Sequence, residues 1–389
     1  MNWYRELKRW LVRPMTAGIA LDVWPRTNIC IVNYDRLKSH RAVIRGREWD
    51  LLICDESHMI KSMDAQRTQE VFGCRANLEK RRERVAPIPA QRRLYLTGTP
   101  ILNKPFELWP ILRSLGWQWT DFTFRYCGAK QTRYGWDVSG ATNLAELQER
   151  LRSTIMVRRR KADVLTELPA KRRQIIELSA NGASSQVQAE LAMLRRLVAS
   201  EEDYAEAALR LRRESLGAFG ELSRLRHQTA LAKVPAVIEH VLDASASSPK
   251  IILFGHHKDA LSQIRSGLER EKLRCVGLTG DMDGADRQRS VDLFQADPSV
   301  RVFCGTIGAA GVGITLTASS HVVFAELDWV PGNICQAEDR AHRIGQRDSV
   351  LVQHLVFEGS LDAAMVQTLV RKQEVIEAAL DAKAEEQAE

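Results

Sequence analysis

Long apolar runs and an amino-terminal secretory signal are both missing from the sequence. Nowhere do roughly 18 apolar residues follow one another, the length that a membrane-spanning helix needs, so no membrane span is expected. The first residues, Met-Asn-Trp-Tyr-Arg-Glu-Leu-Lys, lack the apolar stretch of a signal peptide. The expectation is therefore a cytoplasmic protein, or a nuclear one if the source is eukaryotic.

Paired cysteines are also missing. The seven cysteines contain no Cys-x-x-Cys pair, the spacing typical of zinc and redox sites. Several lie inside apolar runs, as Cys54 and Cys304 do. They are expected to be reduced core residues, and neither a disulfide framework nor a zinc site is predicted.

The composition is that of a folded, basic protein. Of the 389 residues, 44% are hydrophobic and 27% are charged, and the formal net charge is +7. This length favours two domains, or three, with sizeable cores. The basic excess permits a polyanionic partner but fits an ordinary enzyme equally well.

Two regions alternate short apolar runs with helix-period segments, which predicts two α/β modules. Continuous Val/Ile/Leu runs are typical of strands covered on both faces, as in parallel sheets. Helical periodicity predicts helices such as 259–268 and 286–294. The predicted strands are 28–34, 51–54 and 93–96 in the first region, and 250–254, 274–278, 301–304, 321–325 and 350–355 in the second.

Residues 184–228 have a different character. They are rich in Ala, Leu, Glu and Arg and contain no proline. The pattern predicts a long amphipathic helix that doubles back on a partner near Gly217 and Gly220. The apolar positions of its predicted face are Val187, Leu191, Leu194 and Val198.

Two adjacent carboxylates follow a predicted strand in Leu51-Leu-Ile-Cys-Asp-Glu-Ser-His58. In open α/β folds, ligands bind at the carboxyl edge of the sheet. Phosphoryl transfer from ATP needs an acid that holds magnesium and a group that orients the attacking water. Asp55 suits the first role and Glu56 the second, and His58 could then sense the neighbouring lobe or DNA. The alternative is a strand that simply ends at a polar turn.

A second small-residue turn, Tyr95-Leu-Thr-Gly-Thr-Pro100, follows a later strand. Gly98 is expected to let the backbone bend and approach a neighbour closely. Thr97 and Thr99 offer hydroxyls to a phosphate or to the carboxylates of the earlier loop. Alone it is an ordinary turn, but its position after a second strand favours a functional interpretation.

The second region contains a glycine-rich stretch and an arginine pair. Glycines in residues 305–317 free backbone N–H groups to face an anion, which makes Gly311 and Gly313 candidate nucleotide contacts. Arg340 and Arg343 are predicted to share one face of a short helix. The two guanidiniums repel unless an anion lies opposite, and the phosphates of ATP would be that anion.

An arginine finger contributes roughly a thousandfold or more in rate. The alternative for this arginine pair is a solvated basic helix in which Glu338 and Asp339 neutralise the arginines.

Basic clusters occur at 80–84, 158–161 and 171–173. A single cluster is usually a solvated face, although binding to phosphates would make affinity steeply salt-dependent. Trp117 and Trp119 could stack on bases, but core packing is favoured for both.

Six segments in order resemble the helicase motifs of the Swi/Snf family within superfamily two. The ending Arg-Ile-Gly-Gln distinguishes them from RNA helicases of the Asp-Glu-Ala-Asp type, and the pattern looks closest to the annealing-helicase subgroup. The segment 157–171 is similar to the family's connection between lobes. The segments are 28–37 (motif Ib), 55–58 (II), 96–100 (III), 251–261 (IV), 308–317 (V) and 336–346 (VI).

The resemblance implies an α/β protein of two RecA-like lobes with parallel sheets, the first lobe incomplete, plus helical insertions. The implied limits are 1–175 for lobe 1, 176–232 for the helical insertion and 233–389 for lobe 2. Such proteins bind double-stranded or branched DNA and use ATP with Mg²⁺ to translocate along it.

The resemblance also assigns roles within the motifs. Asp55 would bind Mg²⁺, Glu56 would orient water, and Arg340 and Arg343 would complete the site from the second lobe. Gln336 would support the nucleotide side. The residues implied to couple this site to DNA are His58, Thr97, Gly98, Thr99, Arg159 and Arg160.

One departure from the family is that motif I, the loop with Gly-Lys-Thr that cradles the phosphates, occurs nowhere in the sequence. The chain is therefore expected to start partway into lobe 1 and to need an upstream polypeptide that carries motif I. The alternative is a catalytically dead DNA-binding or regulatory remnant. An RNA helicase is a weaker third possibility.

Overall fold

The computed structural model describes residues 2–76, 83–98, 104–133, 135–159, 164–179, 184–197, 216–310 and 313–366. The chain divides into two compact units, Met1–Arg159 and Arg160–Glu389. This division precedes the predicted limit at residue 175, because Lys171–Leu178 is a strand of the second unit's sheet. In the described part of the chain, no helix is long and apolar enough to cross a membrane.

The first unit combines short helices with short strand pairs. Its helices are α1 (Asn2–Trp10), α2 (Arg41–Arg45), α3 (Gln66–Phe72), α4 (Trp109–Ser114), α5 (Trp119–Tyr126) and α6 (Leu144–Thr154). Its strands are β1 (Ala17–Ala20), β2 (Ile29–Val32), β3 (Trp49–Cys54), β4 (Ala90–Tyr95), β5 (Lys130–Thr132) and β6 (Gly135–Asp137).

The strands of the first unit pair two by two. β1 is parallel to β2, β3 is parallel to β4, and β5 forms an antiparallel hairpin with β6. One face of the β3–β4 pair packs into a core that includes Ile44, Cys54 and Ile60. On the other face, Leu51 and Ile53 are 44% and 47% exposed. The prediction that these strands are covered on both faces was wrong, because their alternate side chains point to a face that stays open.

The second unit has a larger and more regular architecture. Its helices are α7 (Ser184–Leu197), α8 (Leu216–Ser247), α9 (Lys258–Arg270), α10 (Gly284–Ala296), α11 (Ile307–Ala310) and α12 (Pro331–Glu338). Its strands are β7 (Lys171–Leu178), β8 (Ile251–Gly255), β9 (Arg274–Leu278), β10 (Val300–Thr306), β11 (His321–Phe324) and β12 (Val350–Phe357).

These strands form one parallel sheet in the order β7-β12-β11-β8-β10-β9. Alternate residues along β8 enter different cores: Ile252 and Phe254 pack in one, Leu253 in the other. Burial on both faces explains why the sequences of these strands are continuous apolar runs. The predicted α/β class is confirmed, and β7 is a strand that the sequence did not indicate.

The long helical segment differs from its prediction. α8 begins at Leu216 and includes Gly217 and Gly220 in its first turns, so these glycines do not form the predicted turn, although the helix does pack on a partner helix, as predicted. α8 packs on α7, α9 and the sheet, and tertiary packing of this kind overrides the weak helix propensity of glycine. In α7, Val187 is buried as predicted, whereas residues 198–215 lie outside the described part of the chain.

The seven cysteines are free thiols. Cys54 and Cys304 are buried as predicted, and burial raises the pKa of Cys54 to about 11. Both behave as small apolar core residues.

Candidate functional site

Parallel pairing brings the two polar turns of the first unit side by side. Cys54, the last residue of β3, lies opposite Tyr95, the last residue of β4. The Leu96 N–H donates to the Cys54 carbonyl at 2.9 Å, and the Ser57 N–H donates to the Leu96 carbonyl at 2.8 Å. The residues that follow β3 therefore share one sheet edge with those that follow β4.

Asp55 places its carboxylate at the surface of this edge. Its Oδ1 accepts from the Glu56 N–H at 3.0 Å, and its Oδ2 accepts from Trp3 Nε1 at 2.6 Å. Tyr34 fixes the backbone by donating its hydroxyl to the Asp55 carbonyl at 2.8 Å, and burial raises the pKa of Tyr34 so that the donor proton stays in place. An exposed carboxylate of this kind has the hard oxygen atoms that Mg²⁺ prefers.

Glu56 occupies an uncommon backbone conformation, with φ 46° and ψ 50°. A left-handed residue other than glycine costs roughly 1–2 kcal/mol, and such strain clusters at functional sites. Its Oε2 lies 3.3 Å from His58 Nδ1, and Thr97 Oγ1 lies 3.5 Å from the same nitrogen. His58 thus connects the carboxylate turn to the turn after β4.

Gly98 does not have a positive φ. A Cβ placed on it would meet nothing within 4 Å among the described residues, so the predicted close approach to a neighbour is not seen in that part of the chain. Thr99 lies outside the described residues.

In the second unit, the glycine-rich stretch packs against the arginine segment. The Leu316 N–H donates to the Arg340 carbonyl at 2.9 Å, and Arg343 Nη1 donates to the Ile314 carbonyl at 3.1 Å. Gly313 has a φ of 52°, a left-handed conformation that glycine adopts without strain. Gly311 lies outside the described residues.

The sequence predicted that Arg340 and Arg343 share one face of a short helix, and this prediction was wrong. α12 ends at Glu338, and the residues that follow form a succession of turns. The amide of Gln346 stabilises these turns: its Nε2 donates to the Ser319 carbonyl at 2.9 Å and its Oε1 accepts from the Arg347 N–H at 2.9 Å. Arg340 is buried and Arg343 half-buried, so neither is part of a solvated basic helix.

Glu338 has partners other than those the alternative interpretation gave it. Lys171 Nζ lies 2.8 Å from Glu338 Oε2, and Arg173 binds both carboxylate oxygens, at 2.9 and 2.7 Å. Burial alone would raise the pKa of Glu338, but Lys171 and Arg173 lower it to about 2. Two residues of the basic cluster 171–173 are therefore not a solvated face, because this strand lies at the edge of the sheet beside Glu338.

The remaining candidates lie on different elements. Gln336 is half-buried on α12, and Arg159 is exposed at the end of the first unit. Arg160 lies outside the described residues. Trp3, Tyr34 and Gln346 were missed by sequence reasoning, because their contacts join residues far apart in the chain.

Residues 1–228 match the family described as SNF2-related domain, and residues 232–345 match the helicase conserved C-terminal domain. Human DNA annealing helicase and endonuclease ZRANB3 is 35% identical over 409 residues, covering 98% of this chain and 35% of that protein.

A second relative is the Caenorhabditis elegans homologue of SWI/SNF-related matrix-associated actin-dependent regulator of chromatin subfamily A-like protein 1. It is 35% identical over 364 residues, covering 91% of this chain and 49% of that protein. The chain thus spans between about a third and a half of the length of these relatives.

Among solved structures, the crystal structure of the C-terminal part of the Fun30 ATPase domain aligns with a TM-score of 0.39 and 16% identity. The alignment covers 55% of this chain and 99% of that one. A similarity this low carries no functional conclusion.

Proposed function

The chain belongs to the SNF2-related family, and we propose that it is a DNA-dependent ATPase that moves along double-stranded DNA. The observation that carries this proposal is the shared sheet edge of the first unit, where Asp55 and Glu56 lie beside Thr97 and Gly98. Family matches over nearly the whole chain support the assignment of ATP hydrolysis to this edge. Two of the relatives' names describe proteins that act on DNA or chromatin.

Three residues of the first unit would have different roles at ATP. Asp55 would hold Mg²⁺, which neutralises the charge that develops on the phosphates. Glu56 would orient the attacking water and accept its proton. His58, 3.3 Å from Glu56 and 3.5 Å from Thr97, is placed to relay a change in one turn to the other.

The residues of the second unit would act on the phosphates. Arg340 and Arg343 supply positive charge, and the hydrogen bonds to Leu316 and Ile314 fix them to the glycine-rich stretch. Gln336, Gly311 and Gly313 are proposed to contact the nucleotide. Guanidiniums on a preorganised segment stabilise transition-state charge with little reorganisation.

DNA is proposed to bind through basic side chains that neutralise its phosphates. Arg159 and Arg160 are the candidates here, and the formal net charge of +7 is compatible with a polyanionic partner. Thr97, Gly98 and Thr99 would couple that contact to the ATP turn. The Arg-Ile-Gly-Gln ending favours double-stranded DNA over RNA as the polynucleotide.

The sequence contains no phosphate loop with Gly-Lys-Thr. We propose that hydrolysis requires a polypeptide segment carrying Gly-Lys-Thr, because that loop cradles the β- and γ-phosphates. The second candidate function follows from the same observation: a non-catalytic remnant that binds or regulates DNA would retain its basic side chains without the loop.

Complementation separates the two candidates. ATP hydrolysis is measured for the chain with a polypeptide that carries the phosphate loop, in the absence of nucleic acid, with duplex DNA and with RNA. The motor predicts hydrolysis that appears only with the added segment and rises with duplex DNA more than with RNA. The remnant predicts salt-sensitive duplex binding with no nucleotide affinity in any mixture, and that result would reject the motor.

A further inference from the structure

Three aromatic rings from helix α5 and strand β6 meet on the surface of the first unit. Trp136, on strand β6, lies 5.7 Å from Trp119 and 5.2 Å from Phe124, with interplanar angles of 69° and 71°. Trp119 and Phe124 belong to helix α5. These three rings are called the aromatic platform below.

The platform is exposed although a well-packed core lies directly beneath it. Phe122 and Tyr126, from the same helix, are completely buried, whereas Phe124 is 52% and Trp136 46% exposed. Trp119 packs partly against that core. Large aromatic surfaces left in water are unfavourable, and contiguous exposed patches mark interaction sites.

Strand pairing does not account for Trp136. Its partner across the hairpin is Gln131, and every residue of β5 and β6 is exposed. A polar β-forming residue would suit this position in an isolated hairpin equally well. Trp117, by contrast, packs edge-on against Phe122 and serves the core, as predicted for both tryptophans.

The hairpin that carries Trp136 also carries two cations. Lys130 and Arg133 lie in the hairpin, and both are exposed. Two carboxylates on the neighbouring helices are ion-paired: Asp121 pairs with Arg150 at 3.1 Å, and Glu146 pairs with Arg125 at 2.7 Å. Asp137 faces Lys130 across the hairpin, which leaves Arg133 without an ion-pair partner among the described residues.

We propose that the aromatic platform binds an unpaired nucleobase of a DNA strand by stacking it on Trp136, with the exposed Arg133 of the same hairpin contacting an adjoining phosphate. Flat apolar rings combined with cations are what single-stranded nucleic acid requires, since every base has a π-face and every nucleotide a negative charge. The inference rests on the proposed DNA-dependent function and adds a second site to it.

The platform discriminates between forms of DNA for a physical reason. In an intact duplex both faces of every internal base are covered by neighbouring bases, so away from the ends Trp136 has no free base face on which to stack. A base at a gap, tail or fork has one. The platform therefore favours DNA that contains unpaired nucleotides, while duplex contacts elsewhere are unaffected.

The test compares the full chain with its Trp136→Ala, Trp136→Phe and Trp10→Ala variants on two probes. One probe is a fluorescently labelled duplex, and the other is the same duplex with a single-stranded tail that contains 2-aminopurine. Trp10→Ala is the matched control, because Trp10 is 68% exposed on α1 and outside the platform.

Trp136→Ala is expected to weaken binding of the tailed duplex by about fivefold or more, with duplex binding unchanged. It also removes the quenching of 2-aminopurine, which reports stacking directly. Trp136→Phe is expected to retain most of both signals, and Trp10→Ala all of them.

Equal losses on both probes, or unchanged quenching in Trp136→Ala, would overturn the inference. So would weaker binding of a polyglutamate peptide with unchanged binding of the tailed duplex, since that result points to an acidic protein partner. If the wild-type chain bound neither probe, the proposed DNA function itself would fail, which is a separate outcome.

Discussion

At the scale of single residues, the buried Glu338 connects the edge strand β7 to the segment that carries Arg340 and Arg343. Its side chain is fully buried, and Lys171 and Arg173 bind both of its oxygens. Removing one member of such a cluster leaves uncompensated buried charge, which is costly. The position of the two arginines therefore depends on a carboxylate that does no chemistry itself.

Replacing Glu338 with Gln is expected to lower the free energy of unfolding of the second unit by about 3–5 kcal/mol. Urea denaturation measures this, with the exposed Glu358→Gln as the control. The folded pKa of Glu338, about 2, lies below its ordinary value of 4.5. Its stabilisation is therefore complete above about pH 4.5 and declines as the pH falls towards 2. Equal stability of Glu338→Gln and the wild type would contradict this role.

The pKa of Glu190 predicts that its contribution to the free energy of unfolding has the opposite pH dependence. Burial, assisted by Asp362, raises the pKa of Glu190 from 4.5 to about 7, although Arg226 and Lys233 lower it in part. The folded state then holds the proton more tightly than the unfolded state, so this carboxyl's contribution to stability falls as the pH rises from about 4.5 to 7. Glu190→Gln removes the titrating carboxyl. Its free energy of unfolding should therefore fall less between about pH 5 and pH 8 than that of the wild type. Thermal unfolding at several pH values measures it, and a slope identical to that of the wild type would refute the assignment.

At the scale of elements, the sequence predicted buried strands well and turns poorly. Runs such as 250–254 and 274–278 are typical of strands in a doubly covered sheet, and the second unit places them there. β7 was missed because its first residues, Lys171 to Arg173, resemble a basic cluster until Glu338 is placed beside them. The predicted helix for Arg340 and Arg343 was wrong because α12 ends at Glu338. The turns that follow are stabilised by Gln346, whose hydrogen bonds reach residues distant in sequence.

The two glycines Gly98 and Gly313 are expected to respond differently to alanine. Gly313→Ala places a side chain at φ 52°, which costs roughly 1–2 kcal/mol. Gly98→Ala adds a Cβ that meets nothing within 4 Å among the described residues, so stability should be unchanged. Thermal unfolding of both variants tests this. A loss of ATP hydrolysis in Gly98→Ala without a loss of stability would identify a contact made with a ligand.

At the scale of the whole molecule, the basic excess predicts how DNA affinity depends on salt. Each phosphate that the protein neutralises steepens the linear fall of log affinity with log salt. Arg159→Ala is expected to reduce that slope by about 1, whereas Arg172→Ala, an exposed residue of β7, should leave it unchanged. Fluorescence anisotropy over a salt series provides the slopes, and an unaltered slope in Arg159→Ala would exclude the contact.

The family and its motif order could be predicted from the sequence, because the motifs are short and keep their order along the chain. The open face of β3 and β4 could not, since Leu51 and Ile53 have the composition of core residues and lie exposed. The aromatic platform could not either. Trp136 and Phe124 are brought together by a hairpin whose residues carry no strong periodic pattern.

The most direct test of the central claim is duplex-stimulated ATP hydrolysis by Glu56→Gln, measured with the phosphate-loop polypeptide present. The control is Asp50→Asn, an exposed carboxylate on the same strand. The account predicts that Glu56→Gln loses about a hundredfold or more of the rate, while DNA binding and the Asp50→Asn rate are retained. A Glu56→Gln rate equal to that of the wild type would show that this carboxylate does not orient the attacking water.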